Sequence, residues 1–584
     1  MSQTPRHDDN PCRPIHIKPV LCAPSPTDGP GRTALEISHT RLGVAAALFV
    51  LAFLVIAGQL VDVMELKSPP DRKETRNRAA VETVAPGRAD IVDRNGVLLA
   101  TTLDMPSLYA NPKQISDKGR VANELAGIFP ELTSEKLVEA FDKPNLSFVW
   151  VKHDLTPHQV LAVNALGEHG LQFITEERRV YPKGNLLSHV VGFVNSDGKG
   201  MAGIEAGMEK RIKADPTKPV RLSVDARIQF ILRSEILNQM AQFDAKRGFG
   251  IVMNVRNGEV LALSSLPDFD PNNLSSATPD QLYNHATFGV YEMGSVFKIF
   301  NTAMLLSSGL ANMDTKFDAT NPIHIGRFTI HDDHPQRRWL SVAEVFQYSS
   351  NIGSAKEAMA AGIPRQQDFL GKLGLLNAPK FELPEVAAPH IPSPWHEVNL
   401  MTVAFGHGIS VSPLQMATAV SAIVNGGLLH RPSLVAGDDQ AVGERVLSPE
   451  ISDDMRRLLR LVVTSGTGKF AAAPGYLVGG KTGTAEEVSG TGYARKQLLS
   501  SFVGVFPIND PQYVVIISID QPHGNKSSYG YATAGWVAAP GVSHIIERMA
   551  PLVGIHPVDE DSPEIRRALM IDLPVPEGRK LAAE

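Results

Sequence analysis

Apolar and polar positions follow three different rhythms along this chain, and each rhythm predicts a different kind of element. Residues 42–61, LGVAAALFVLAFLVIAGQLV, run for 20 positions without a formal charge and are apolar on every helical face. That is the length a helix needs to span a bilayer, and longer than the apolar core of a cleavable signal peptide. A lead of 41 residues precedes it and no A-x-A site follows cleanly. We therefore read residues 42–62 as an uncleaved transmembrane anchor rather than a buried core helix. A second rhythm is short-range. "GRADIVDRNGVLLATT" reads as strand, turn at Asn95-Gly96, strand, and "RGFGIVMNVRNGEVLALSSLP" places two apolar runs around Asn257-Gly258, a strong hairpin signal. Strand-like runs return at "YLVGGKTGTA", "SFVGVFP" and "YVVIISID". The third rhythm is helical, over 295–309, 342–361, 413–425 and about 535–549. The helix at 413 opens with Ser412-Pro413, an N-cap and first-turn pair, and stops at Gly426-Gly427.

These rhythms divide the chain. Residues 1–41 are Pro-rich, polar and expected to be disordered. Residues 63–216 alternate short elements without an internal repeat. Residues 217–553 run strands, then many helices, then strands, which predicts a sheet completed by both ends of the region with helices packed on it. Residues 554–584 form a tail. Over 584 residues, 43% hydrophobic and 20% charged content mark a globular protein, and a net charge of -6 argues against nucleic acid as a partner. Both cysteines, Cys12 and Cys22, precede the anchor, so the rest of the chain has no disulfide framework or thiolate metal site. Five Lys or Arg precede the anchor and five follow within 62–80, so charge does not decide its orientation.

Three short motifs carry chemistry. In "VYEMGSVFKIF", Ser295 and Lys298 share one face of an apolar helix, and polar groups there cost free energy unless they are used. Gly294 places the serine at a helix N-terminus, where free N–H groups favour negative charge. A serine hydroxyl needs a base, and a lysine serves only when desolvation or a neighbouring cation lowers its pKa. The second motif, "YSSNIG", offers Ser349, Ser350 and Asn351, and taken alone reads as a helix cap. The third, "GGKTGTA", supplies Lys481, Thr482 and Thr484, one cation and two hydroxyls suited to a carboxylate. Its Gly483 allows close backbone approach.

In this order, Ser-x-x-Lys, Ser-x-Asn and Lys-Thr-Gly form the set that marks β-lactamases and penicillin-binding proteins. From the anchor to about residue 550 the sequence resembles a class B penicillin-binding protein, a peptidoglycan D,D-transpeptidase. The resemblance includes "GRADIVDRNGVLLA", "RRVYPKGNLLSHVVGFV", "GIEAGME", "LPDFDPN" and "FGHGISVSPLQMATAVSAIVNGG". "SSNIGSAKEA" is similar to the septal, division-type subgroup, since the elongation subgroup usually has Asp where this chain has Asn351. Two positions depart from the pattern. Met293 stands where many members have Pro, and "KRIKADPTK" blurs the L-x-G expected after "GME".

The resemblance implies an α+β fold: a five-stranded antiparallel sheet flanked by helices, a mixed α/β pedestal domain over 63–216, and one transmembrane helix. It implies that Ser295 attacks the penultimate D-alanine carbonyl of a stem peptide, with Lys298 as general base and Ser349 relaying the proton to the leaving amine. Asn351 would bind the donor amide, Lys481, Thr482 and Thr484 the terminal carboxylate, and the backbone N–H groups of Ser295 and Thr484 the oxyanion. An amine of a second stem peptide would resolve the acyl-enzyme, and β-lactams would trap it. No cofactor or metal is implied. The partners implied are a polytopic glycan polymerase and other division proteins. The location is the bacterial inner membrane, single-pass, with a cytoplasmic N-terminus and a periplasmic catalytic domain.

Alternatives are an elongation-type class B transpeptidase, a D,D-carboxypeptidase or β-lactamase using water, and a non-catalytic scaffold. "ELPE", 382–385, lacks the asparagine that would follow a deacylating glutamate. "GKGMAG", 198–203, with Asp225 beyond, is not fed directly by a strand as a dinucleotide loop would be. "SGTGKF" lacks the flanking residues of a P-loop, and "HDDH", 331–334, reads as a surface loop rather than a metal site.

Overall fold

A computed structural model describes residues 87–573 apart from 145, 327, 438–441, 490–491 and 572, together with Val50, Leu51 and Leu54. The segment 1–41 and nearly all of the expected anchor lie outside these residues. Among the described residues no helix is long and apolar enough to cross a membrane.

The first hairpin forms as the alternation predicts. Strands β1 (Ile91–Val92) and β2 (Leu98–Ala110) are joined through Gly96 at φ 86°. The Asp93 carboxylate fastens the turn by accepting from the backbone N–H groups of Asn95 and Val97, both at 2.8 Å. Along its length β2 pairs antiparallel with β3 (Val149–Lys152) and β4 (Leu171–Val180). Its far end packs on α1 (Lys118–Ile128) and α2 (Ser134–Phe141) around Leu108, Val121, Leu125, Phe129 and Phe141, a small core of its own. Its near end belongs elsewhere. β5 (Val220–Arg221) runs parallel beside β1. Ala89, Ile91, Leu99, Val190 and Val220 share one buried cluster with Phe249 and Val296 of the following region. Arg88 and Arg179 converge there on the buried Glu205 carboxylate.

Beyond α3 (Ala226–Gln242) the main sheet begins with β6 (Arg247–Asn254) and β7 (Val260–Leu266), the hairpin read at Asn257-Gly258. The chain then runs through α4 (Lys298–Ser307), α5 (Val342–Tyr348), α6 (Asn351–Ala361), α7 (Pro413–Val424) and α8 (Pro449–Ser465). It returns as β8 (Gly479–Ser489), β9 (Gly492–Phe506) and β10 (Tyr513–Asp520), and ends with α9 (Ala534–Met549). The five strands lie in the order β8-β9-β10-β6-β7, each pair antiparallel. Both ends of the region build the sheet, as expected.

Every residue of β10 is buried because both faces are covered. Val514 and Ile516 join the cluster that contains Phe300 of α4, Val420 of α7 and Leu458 of α8. Val515, Ile517 and Ile519 point the other way, toward Leu232 of α3 and Val542 of α9. α7 opens with a Ser412–Gln415 capping box. It closes at Gly427, φ 91°, where a Cβ would stand 2.0 Å from the Leu447 carbonyl oxygen.

Two helices differ from the expectation. The stretch 295–309 opens as a 3-10 turn, Gly294–Phe297, before α4 starts at Lys298. The stretch 342–361 is two helices rather than one, because Ser349 adopts the left-handed conformation (φ 57°) and Ser350 caps α6 by accepting from Gly353 N at 2.9 Å. The apolar period continues through this break, so periodicity does not reveal it. Past residue 554 the chain packs back: α10 (Pro563–Leu569) buries Leu569 in the main cluster, and Glu560 pairs with Arg460 of α8.

Candidate active site

The break between α5 and α6 is what assembles the polar centre. With Ser349 in the left-handed region its hydroxyl turns toward α4 and β8, and both lysines reach it. Lys298 Nζ donates to Ser349 Oγ at 3.0 Å and to Asn351 Oδ1 at 2.8 Å, and also to the Ser349 carbonyl. Lys481 Nζ donates to the same Ser349 Oγ at 2.9 Å and stands 6.0 Å from the centre of the Phe346 ring. A hydroxyl accepts two hydrogen bonds and donates one. With both acceptor positions engaged, Ser349 keeps its own proton for a third group. A non-glycine residue held at positive φ stores local strain of about 1–3 kcal/mol, which the two lysine contacts and the Ser350 cap hold in place.

Ser295 is half-buried in the turn ahead of α4. Three glycines let backbones close around that turn. A Cβ on Gly294 would lie 2.6 Å from Thr484 O, one on Gly483 would lie 2.3 Å from Met293 O, and one on Gly406 would lie 2.2 Å from Gly294 O. The edge strand β8 therefore runs directly against the turn, bringing the main chain of Thr484 beside that of Gly294, the residue before Ser295. Thr482 and Thr484 are already hydrogen-bonded: Thr482 Oγ1 shares a 2.7 Å bond with Thr467 Oγ1, and Thr484 Oγ1 accepts from Ala534 N at 3.1 Å.

Both lysines are fully buried, at 0% exposure. Burial pushes the Lys298 amine down to about 7, while the carboxylates of Asp332, Asp333 and Glu357 pull in the opposite direction. Burial also drives Lys481 well below the ordinary lysine range, and the charge of Lys298 adds to that. An amine near neutrality inside the protein can take a proton and give it back, which an exposed lysine cannot do at physiological pH.

The fold thus brings Lys298, Ser349, Asn351 and Lys481 into one hydrogen-bonded group, with the main chain of Met293 and Gly294, just ahead of Ser295, closed against Gly483 and Thr484. Residues 248–542 match the penicillin binding protein transpeptidase domain, and residues 83–221 match the penicillin-binding protein dimerisation domain. The chain belongs to the class B penicillin-binding proteins. This penicillin-binding protein is 39% identical over 483 residues to the probable peptidoglycan D,D-transpeptidase FtsI of Caulobacter vibrioides, covering 80% of this chain and 82% of the relative. It is 30% identical over 566 residues to the probable peptidoglycan D,D-transpeptidase PbpC of Pseudomonas aeruginosa, covering 90% and 97%. It shares its fold with the crystal structure of penicillin binding protein 3 from Mycobacterium tuberculosis complexed with aztreonam: TM-score 0.64, 24% identity, 84% of this chain and 99% of that one.

Several residues at this penicillin-binding protein's centre escaped the sequence reading. Asp332, within the "HDDH" read as a surface loop, is buried and accepts from Ser350 Oγ at 2.7 Å and from Ile352 N at 2.9 Å. The neighbouring His331 carbonyl accepts from Asn351 Nδ2 at 3.1 Å. Asp332 thus holds the α5–α6 break in place from outside. Thr467, within the set-aside "SGTGKF", is the partner of Thr482. In "ELPE", Glu382 accepts from Leu434 N at 2.9 Å and Glu385 from Gly203 N at 3.1 Å, so both carboxylates join segments of the scaffold. "GKGMAG" lies in a small hairpin between Phe193–Val194 and Gly200–Ala202, and Asp225 caps α3.

Proposed function

We propose that this protein is a septal peptidoglycan D,D-transpeptidase. In this reading residues 42–62 anchor it in the bacterial inner membrane, residues 1–41 stay in the cytoplasm and residues 217–553 work in the periplasm. The observation that carries the reading is the convergence of the Lys298 and Lys481 amines on Ser349 Oγ, beside the turn that holds Ser295.

A stem peptide ending in D-Ala-D-Ala lies along the open edge of β8 as an added strand, its last carboxylate toward Lys481, Thr482 and Thr484. Lys481 rests with its charge suppressed by burial, and the incoming carboxylate supplies the opposite charge that favours its protonation. Asn351 holds the donor amide. Lys298 removes the proton of Ser295 Oγ as that oxygen bonds to the penultimate D-alanine carbonyl carbon. The carbonyl oxygen becomes an oxyanion between the backbone N–H groups of Ser295 and Thr484, each such donor worth about 3 kcal/mol of barrier. The C–N bond then breaks. The leaving amine takes its proton from Ser349, which is resupplied by Lys298, and D-alanine departs. An amine of a second stem peptide attacks the ester, passes its proton back along the same route and restores Ser295, leaving a cross-link. A β-lactam acylates Ser295 by the same first step, and its ring cannot leave. The subgroup assignment rests on "SSNIG". Residues 63–216 are the side offered to a polytopic glycan polymerase and other division proteins.

Mass spectrometry of the adduct formed with a fluorescent penicillin tests the chemistry. Acylation is expected at Ser295, and an adduct elsewhere, or none, would reject the reading. Turnover of a D-Ala-D-Ala peptide with an amine acceptor is expected to give a cross-linked product. Exclusive hydrolysis would mark a carboxypeptidase.

A further inference from the structure

Glu357 is fully buried on α6, at 0% exposure. Its Oε2 accepts from Asn301 Nδ2 at 2.9 Å and from Thr302 Oγ1 at 3.1 Å, across the interface of α4 and α6. Asn301 and Thr302 stand three and four positions after Lys298, the spacing that places side chains on one helix face. The carboxyl therefore sits on the same stripe of α4 that carries the amine. Asn301 Nδ2 also donates to Ser354 O at 3.1 Å, tying the two helices together at this level. Glu357 Oε1, Asn301 Oδ1 and Ser354 Oγ are buried without a hydrogen-bond partner among the described residues. A leucine would fill this interior position at lower cost, because a buried carboxyl with an unmet oxygen is expensive. Packing gives no reason for an acid here, and the buried amine on the same helix face does.

The charged groups that act on Lys298 come from several elements. Asp332 is committed to Ser350 and Ile352, and Asp333 is exposed to solvent. Lys481 on β8 and the half-buried His407 act on it with no negative charge. Among the acids acting on the amine, Glu357 combines full burial with a place on its helix face.

We propose that Glu357 is a positioning residue for acyl transfer, fixing through Asn301 and Thr302 the helix face that presents Lys298 and setting that amine's readiness to accept a proton. The inference rests on the transpeptidase reading. Burial pushes the Glu357 carboxyl up to about 8, and the Lys298 amine down to about 7, so the two titrate over one range as a coupled unit. While Glu357 holds its proton, Lys298 is free to act as base. A charged carboxylate here would favour the ammonium form of Lys298, so the protonated carboxyl is the form that leaves the base free.

The test compares the full-length protein with E357Q, following acylation by a fluorescent penicillin from acidic to alkaline pH. Glutamine keeps an oxygen for Asn301 and Thr302 and removes the titrating charge. Below about pH 8 Glu357 holds its proton, so glutamine reproduces its neutral form and E357Q is expected to keep the acid limb in place. E357L, which offers Asn301 and Thr302 no oxygen, is expected to lower the plateau acylation rate about tenfold with the melting temperature held. An acid limb that moves by a unit in E357Q, or E357L acylated at the original rate, overturns the inference. Should E357Q fail to fold, carboxyl carbon NMR of the unaltered protein decides. A glutamate titrating near neutrality and shifting when Ser295 is acylated supports the inference, and glutamates that all titrate in the ordinary acidic range overturn it. Failure of the unaltered protein to be acylated would instead remove the transpeptidase reading itself.

Discussion

The far lobe of the dimerisation domain and the candidate catalytic cleft bury opposite kinds of matter. Around α1 and α2 the interior is Leu108, Val121, Leu125, Phe129 and Phe141, while ion pairs such as Lys118–Asp142 and Arg120–Glu124 stay at the surface. Around α4 and α6 the interior includes Lys298, Lys481, Glu357, Asp332 and Ser350. The first arrangement stabilises by removing apolar area from water. The second costs stability, and it is held by the large apolar cluster that surrounds it. The difference teaches where to expect a separation of properties: changes in the lobe should move stability alone, and changes in the cleft should move chemistry first.

The largest effect is expected from Ser295→Ala. Covalent labelling by a fluorescent penicillin should vanish while the melting temperature holds, and labelling that persists would place the nucleophile elsewhere. Next comes Lys298→Ala, for which acylation, read by stopped-flow fluorescence, should fall about a thousandfold. Gly483→Ala should cost about a hundredfold in the same assay, because its Cβ would meet Met293 O at 2.3 Å and drive β8 away from the Ser295 turn. A melting temperature falling in proportion would show that the loss is structural instead. For the unaltered protein, acylation should rise about tenfold per pH unit below the Lys298 midpoint of about 7 and level off above it. The sign follows because the deprotonated amine is the active form, and a flat profile across neutrality would exclude Lys298 as the base. The smallest effect on chemistry belongs to Leu125→Ala in the lobe. Denaturant unfolding should show a loss of about 2–5 kcal/mol, with the acylation rate of folded protein within about twofold of the original. A large change in that rate would break the comparison and couple the lobe to the cleft.

Turn and cap chemistry was legible wherever it is local. Asn95-Gly96, Asn257-Gly258 and the Ser412-Pro413 start each rest on a preference that two adjacent residues display. Lys298, Ser349, Asn351 and Lys481 were legible as a group from their motifs, and the structure joins those four by hydrogen bonds. Asp332, Thr467 and Glu357 were not legible, since each acts on a partner brought near only by folding and has no spacing rule of its own. The pairing of Val220–Arg221 with Ile91–Val92 was hidden for the same reason: a two-residue parallel ladder leaves no periodicity. The helix break at Ser349 is the instructive mixture. Reading "YSSNIG" as a cap and reading it as part of a site looked like rival accounts, yet Ser350 caps α6 and that same cap turns Ser349 to the lysines.

The sheet begun at β6 is closed by β10, with Asn254 opposite Tyr513. A ribosome therefore delivers Ser295, Lys298 and Ser349 long before the strands that complete their surroundings. A nascent chain halted before residue 513 holds Ser295 but not the central partner of β6, and closing so long a loop is slow. Reactivity toward acylating drugs should thus switch on late in biosynthesis, as a property of finished molecules and not of fragments.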